Sequence, residues 1–333
     1  MAYRLSVLDK VPVAEGATAA EAFSGAVSLA QRAEALGYHR YWLAEHHSAP
    51  TLGSSAPEIA AAYILARTQR IRVGAGGVLL QHYAPYKVAE VFKVLSALAP
   101  GRVDLGIGRA PGGLPPATRA LRRAGGDGPS LDFETKFREL DQHLSDAPLS
   151  EAPPFDVAAL PIVEQGPERI LLGASEDTAA LAADNDWQFC FAGHFDGDPE
   201  KIAKVFDVYR KRSSRSPILA VFAAAADTEA EARRLTGDIK LFRVHLPDGR
   251  YVNLPNEKAA AEFARQAGAA DYRLEPLNPT VIAGTGAQVR AELDRLHRQF
   301  GVEEFVIDNP IAAFAERLAS YERLADPRQA AAA

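Results

Sequence analysis

Residues 71–113, IRVGAGGVLLQHYAPYKVAEVFKVLSALAPGRVDLGIGRAPGG, contain one complete strand–helix–strand unit. Ile71 to Gly76 is a short apolar run that ends in glycine. Pro85 to Leu98 follows with helical spacing of its apolar residues, and its proline sits at the first turn, where a missing N–H is no loss. Val103 to Gly108 is a second apolar run, again ending in glycine. A helix between two such runs carries the chain back across a sheet, so the two strands lie parallel.

The same unit recurs on both sides. Upstream, Tyr3 to Leu8 reads as a strand. A helix from Thr18 to Leu36 follows, with Thr18 as N-cap, Glu21 three residues on and Gly37 beyond its end. Arg40 to Ala44 is the next strand and Pro57 to Arg67 its helix. Downstream, strands at Arg169 to Gly173, Trp187 to Phe191, Ile218 to Ala223 and Glu304 to Ile307 alternate with helices. These run over Glu176 to Ala183, Pro199 to Arg212, Thr228 to Phe242 and Ile311 to Leu324. Eight strand–helix units favour closure into a (β/α)8 TIM barrel over an open sheet. Two stretches exceed the minimal unit: Pro111 to Pro161, with a helix near Leu131 to Leu144, and Arg243 to Thr285, with a helix near Glu257 to Gln266. Both are read as loop insertions, about 111–161 and 243–285, within one domain spanning 1–327. The alanine-rich tail, 328–333, is expected to fray.

With 333 residues, 47% of them hydrophobic, the chain can bury a large core without a covalent staple. The one cysteine, Cys190, excludes an internal disulfide and fits a reducing compartment. A net charge of −6 argues against nucleic acid and against anionic membrane surfaces. No apolar run approaches the ~20 residues of a membrane helix. The N-terminus enters a strand with no signal-peptide pattern, so the expectation is a cytoplasmic protein.

In a barrel of this class the chemistry gathers where strands end. The second strand ends in Glu45-His46-His47. Neighbouring side chains on a strand point to opposite sides, so one histidine faces the mouth while the other packs elsewhere. A structural histidine pair bonded to the rim is the competing reading; a metal site ranks low, because no further histidine stands at ligand spacing. Gly74 to Gly77 end the third strand. Without Cβ atoms they allow a flat ring against the backbone, or they form a plain turn. Arg109, after the fourth strand, suits a phosphate or a surface ion pair. Ser175 and Thr178 open a helix, where hydroxyls, free N–H groups and the helix dipole favour an anion; a simple N-cap is the alternative. Gly284-Thr285-Gly286 is read as a helix-start turn without a cofactor role. Tyr41, Trp42, Tyr83 and Tyr86 either shape an apolar rim pocket or pack the core.

Together these blocks resemble the bacterial luciferase-like flavin monooxygenases. The blocks are Tyr41 to His47, Ile71 to Val78, Pro100 to Arg109 and Ser175 to Ala183, in that order. The resemblance covers the first ~200 residues well and the last strand–helix unit loosely. It implies a (β/α)8 barrel that uses reduced FMN supplied by a separate NAD(P)H:flavin reductase. It implies His46 as catalytic base near flavin C4a. Gly76-Gly77 correspond to a non-proline cis pair against the isoalloxazine, and Arg109, Ser175 and Thr178 to the phosphate contacts. A homodimer through early-unit helices is also implied. Two departures stand out: luciferases carry a cysteine where this chain has Gly108, and a phosphate-binding glutamate where it has Ala174. These departures point to the non-luminous members.

The reaction so implied inserts one O2-derived oxygen atom into a small, apolar organic substrate through a C4a-peroxyflavin. Aldehyde, alkane, sulfonate and aromatic ring all remain open as the reacting group. Two other readings compete with it: F420-dependent hydride transfer on the same barrel, which would want more basic residues at the rim, and a non-catalytic flavin-binding subunit.

Overall fold

The computed structural model describes residues 2–123, 131–145, 157–247, 251–254, 256–277 and 279–325. The tail expected to fray, 328–333, and part of the first insertion lie outside the described residues. In chain order the elements are β1 (Arg4–Asp9), α1 (Ala19–Ala35), β2 (Arg40–Leu43), α2 (Pro57–Leu65), β3 (Arg72–Leu79), α3 (Pro85–Leu98), β4 (Val103–Gly108), α4 (Pro115–Arg122), α5 (Phe133–Leu144), β5 (Glu168–Gly173), α6 (Glu176–Asp184), β6 (Gln188–Phe191), α7 (Pro199–Arg210), β7 (Ile218–Ala226), α8 (Glu229–Thr236), β8 (Leu241–His245), β9 (Tyr251–Leu254), α9 (Glu257–Gln266), β10 (Arg273–Leu277), β11 (Val281–Thr285), α10 (Gly286–Phe300), β12 (Glu304–Asp308) and α11 (Phe314–Leu324).

Strands β1 to β7 and β12 pair in parallel, and the β6–β7 and β12–β1 pairings close the sheet into an eight-stranded barrel. The fold is therefore the (β/α)8 barrel that the alternation implied. A ninth strand, β11, lies outside the eight. It pairs in parallel with the second half of β7, from Phe222 to Ala226. Val281 to Thr285 falls inside the second of the insertions that the sequence implies. It is too short to display a period, and its partner lies some sixty residues upstream.

Local chemistry explains the helices that cover the barrel. Thr18 and Glu21 form a capping box at α1, and Gly37, at φ 79°, ends it. The buried residues of α1, from Ala22 to Ala33, repeat at helical spacing, which is the stripe that sits on the sheet. Thr285 and Gln288 form a second capping box at α10, and left-handed Gly301 closes it. The helix expected over Thr228 to Phe242 stops at Thr236. Gly237 takes a positive φ of 63°, and the chain continues as β8 instead. β8, β9 and β10 form a separate three-stranded antiparallel sheet backed by α9.

Each barrel strand is buried on both faces, as β7 shows along all nine residues. Its Leu219, Val221, Ala223 and Ala225 face the helices, whereas Ile218 and Ala220 face inward. The inner core is small: Leu8, Trp42, Ala44, Ile170, Cys190, Ile218, Ala220 and Val306, with Leu172 beside them. Trp42 and Tyr41 are fully buried, so for these two the packing alternative holds. Trp42 fills the barrel interior and donates to Asp104 at 2.8 Å, while Tyr41 lies on the helix side and donates to Asp9 and to the Ala26 carbonyl.

Below this apolar layer the strand starts carry charge. Arg40, 2% exposed, donates to Glu304 at 2.7 Å and to Asp104 at 3.2 Å, and lies 3.1 Å from Glu168. Arg72 reaches Asp104 at 2.6 Å and Glu168 at 3.3 Å. Ser6 adds a bond to Glu304 at 2.7 Å. Burial works against ionisation of Asp104, but the charges of Arg40 and Arg72 and the Trp42 N–H outweigh it and hold that carboxyl below its ordinary range. One guanidinium thus ties β2 to β4, β5 and β12 across the barrel floor.

Among the described residues, removing it leaves three carboxylates with only Arg72, at Asp104 and Glu168, and the half-exposed Arg4, at Glu304, as cationic partners. Arg40→Met should lower stability by about 3–5 kcal/mol, read as a shift in urea midpoint. Adding Glu304→Gln and Asp104→Asn to that variant should recover part of the loss. A loss that stays the same after neutralisation would assign the effect to packing instead of charge.

Candidate active site at the barrel mouth

The C-terminal strand ends converge on a mouth whose walls differ. On the β3–β5 side the residues are small. Gly76, Gly77, Gly108, Leu172, Gly173 and Ala174 are half-buried, so backbone lines this part of the surface. The glycines are needed for close approach. A Cβ on Gly76 would lie 2.9 Å from Trp42, and one on Gly77 would lie 2.5 Å from the Gly106 carbonyl and 2.6 Å from Leu172. Trp42, Leu8 and Leu172 therefore press directly on the backbone from below as an apolar floor. The Gly76–Gly77 peptide is cis.

The helix start after β5 is polar. Ser175 is the N-cap of α6, its hydroxyl accepts from the Thr178 N–H at 3.3 Å, and the two hydroxyls lie 2.9 Å apart. Gly173 packs against the Thr178 side chain, where a Cβ would come within 2.5 Å. Arg109 follows β4. Register pairs Ile107 with Leu171, so Arg109 and Ser175 leave adjacent strands on the same rim. The Arg109 side chain is exposed and its guanidinium lies over the Phe133 ring at 5.6 Å.

The histidine pair follows β2, which ends at Leu43. His47 turns outward and bonds Glu45 at 2.7 Å. Glu45 is 4% exposed and also accepts from the Leu79 N–H at 2.9 Å and the Tyr83 hydroxyl at 2.6 Å, which fastens the end of β2 to the end of β3. Tyr83 is therefore a rim-fixing residue. Tyr86 donates to the Ala158 carbonyl. His46 lies within the field of the Lys10 and Asp308 charges. Its Nδ1 is buried without a hydrogen-bond partner. Burial, assisted by the Lys10 charge and opposed by Asp308, pushes its pKa from 6.5 down to about 4. The ring is neutral in ordinary solution, able to accept a proton at one nitrogen and donate from the other.

The sequence reading missed the facing wall. Lys10 follows β1, Asp308 ends β12 and His194 follows β6. The Lys10 ammonium lies 2.6 Å from Asp308 and 5.2 Å above the Phe222 ring, and the His194 ring meets Phe222 edge-on at 5.4 Å. His194 is 6% exposed, its Nδ1 has no partner, and burial pushes its pKa to about 4. Applying the strand-end criterion to the first, sixth and last strands, as it was applied to the second to fifth, would have found all three.

The two insertions meet on the C-terminal rim. Leu114, after β4, joins the cluster of Val244, Leu246, Ala260, Phe263 and Ala264, and Arg119 of α4 donates to the Gln266 carbonyl of α9 at 3.2 Å. The chain after β7 thus bridges the rim to the segment after β4. Among the described residues no helix is long and apolar enough to cross a membrane.

Known proteins share this fold. The chain is 39% identical over 327 residues to the N-acetyl-S-alkylcysteine monooxygenase of Bacillus subtilis, with 97% of each chain covered. It is similar to the crystal structure of apo-MsnO8, at 34% identity, a TM-score of 0.76 and 97% coverage of both chains. At 18% identity and a TM-score of 0.69 it shares the fold of the oxygenating constituent of 3,6-diketocamphane monooxygenase from Pseudomonas putida, solved in complex with FMN, again with 97% of both chains covered. The luciferase-like monooxygenase family model matches residues 3–325, and the chain belongs to that family.

Proposed function

We propose that this chain is an FMNH2-dependent monooxygenase that transfers one O2-derived oxygen atom to a small organic substrate, and that the substrate class is an N-acylated thioether. The convergence of His46, the glycine-lined backbone of β3–β4 and the Ser175–Thr178 helix start on consecutive strand ends carries the flavin part. The Bacillus subtilis relative, similar over nearly the whole chain, supports the substrate class.

The residues fit FMN. A flat, apolar ring needs a surface without side chains, and Gly76, Gly77 and Gly108 over Leu172 offer one. A phosphate needs donors and a positive end, and the start of α6 offers two hydroxyls, free N–H groups and a helix dipole. Arg109 stands on the same rim with its charge free to turn from Phe133. When bound, reduced FMN supplies the electrons that activate O2. The protein's own part is positional. Glu45 fixes the rim through three hydrogen bonds. His46, kept neutral by burial, takes or returns the proton at the reacting centre. The bridge between the insertions limits water at the mouth.

The reduced flavin would come from a separate NAD(P)H:flavin reductase. The chain would act as one barrel domain, 1–327, and as a homodimer. Ile59 and Tyr63 on α2 and Val94 and Leu98 on α3 support the dimer, being 69%, 52%, 45% and 72% exposed on neighbouring helices. Leu98→Glu should then shift the sedimentation coefficient to that of a monomer; an unchanged value removes this face from the interface.

Two further outcomes test the site. His46→Ala should retain FMN affinity and lose most oxygenation of N-acetyl-S-methylcysteine; unaltered turnover removes His46 from the chemistry. Ser175→Ala with Thr178→Ala should weaken FMN by about tenfold or more while leaving riboflavin, which lacks the phosphate, near its original affinity. Equal losses for both flavins would place the phosphate elsewhere. Equilibrium dialysis that favours F420 over FMN would replace the oxygenase reading with hydride transfer.

A further inference from the structure

We propose that the short turn after β3, Leu80–His82, positions Arg109 for the flavin phosphate, and that it does so through the side chains of Gln81 and His82. The inference rests on the flavin reading above and extends it to two positioning residues that act through the arginine.

Arg109 opens the segment that leaves β4. The last rung before it pairs Gly108 with Leu79 of β3. Ala110, Pro111 and Gly112 follow, with no helix or strand of their own. Each of their carbonyls is nevertheless taken. The Gln81 side-chain amide donates to the Ala110 carbonyl at 2.6 Å, and His82 Nε2 donates to the Pro111 carbonyl at 2.9 Å. The His47 backbone N–H donates to the Gly112 carbonyl at 2.7 Å. A Cβ on Gly112 would run into Leu79, so glycine is what lets the segment lie this close to β3. Three consecutive carbonyls are thus pinned to the ends of β2 and β3. Arg109 is held between the rung at Gly108 and the pinned Ala110.

Both side chains are committed to this arrangement. Gln81 uses both ends of its amide, since its Oε1 accepts from Arg122 of α4 at 3.0 Å. His82 is 7% exposed. A carbonyl only accepts, so Nε2 carries the ring proton, and burial lowers the pKa and keeps the ring neutral. The same turn holds the support beneath the arginine. Lys136 of α5 donates to the Gln81 carbonyl at 3.1 Å and to the Tyr83 carbonyl at 2.9 Å. Phe133, on the same helix, carries the Arg109 guanidinium over its ring at 5.6 Å. The Tyr83 hydroxyl, on Glu45 at 2.6 Å, ties the turn to the end of β2. One turn therefore fixes both the backbone that bears Arg109 and the ring on which it rests. A guanidinium meets phosphate oxygens as a planar fork, so its strength there depends on where its base is held.

The test is calorimetric titration of the full-length protein with FMN and with riboflavin, which lacks the phosphate. Arg109→Met should weaken FMN about tenfold and spare riboflavin. Gln81→Leu and His82→Phe should each weaken FMN about threefold or more, again sparing riboflavin. His82→Gln, whose amide nitrogen can stand in for Nε2, should restore most of the affinity lost in His82→Phe. Added to Arg109→Met, neither Gln81→Leu nor His82→Phe should weaken FMN further, because nothing is left to position. Losses that add to that of Arg109→Met, or that fall equally on both flavins, overturn the proposal. If His82→Phe fails to fold, Gln81→Leu decides by the same criteria. FMN affinity that drops in Arg109→Met but holds in the turn variants also overturns it, and leaves the flavin reading standing. Affinity untouched by Arg109→Met removes the arginine from the phosphate and this inference with it. A wild type that binds neither flavin sinks the flavin reading itself.

Discussion

The floor of the barrel is held by one side chain with more acid around it than it can neutralise alone. Arg40 reaches Glu304, Asp104 and Glu168, which belong to three other strands, and Arg72 supplies the second positive charge. Buried ions of this kind contribute little net stability compared with apolar packing, but they are intolerant of a missing partner. Their effect is to fix which strand start lies beside which. Because strands are stiff, a fixed floor sets the relative heights of the strand ends above it. The positions of His46, Gly76 and Ser175 at the mouth follow from that registration. Trp42 links the two levels: its ring fills the interior under Gly76, and its indole N–H reaches down to Asp104.

Above the floor the mouth is asymmetric. On one side, β3 to β5 present backbone, glycine and small apolar groups. On the other, β12, β1 and the chain after β6 present a paired lysine and aspartate and a neutral imidazole. His46 stands between them. The two walls offer unlike contacts: one gives area without side chains, the other directional polar groups.

Much of this was legible in the sequence, for identifiable reasons. Barrel strands are buried on both faces, so they read as apolar runs. Their helices announce themselves through Thr18, Pro85 and Gly37, whose capping and turn preferences act within four residues. Ser175 was legible for the same reason. The antiparallel sheet of the second insertion was not. Its strands are half-buried and mixed in polarity, and β10 pairs with β8 across nearly thirty residues. Thr228 to Phe242 kept a helical pattern past Gly237, where only the positive φ reveals the stop. Lys10 and Asp308 were invisible as a pair because nearly three hundred residues separate them and barrel closure alone makes them neighbours.

The rim bridge has a consequence for how such a protein diversifies. Leu114 and the cluster around Val244 and Phe263 belong to excursions of the chain outside the eight closing strands. Their lengths and apolar faces can change together while the hydrogen-bond ladder beneath stays intact. Variation in this detachable hood thus leaves the rigid vessel under it unchanged.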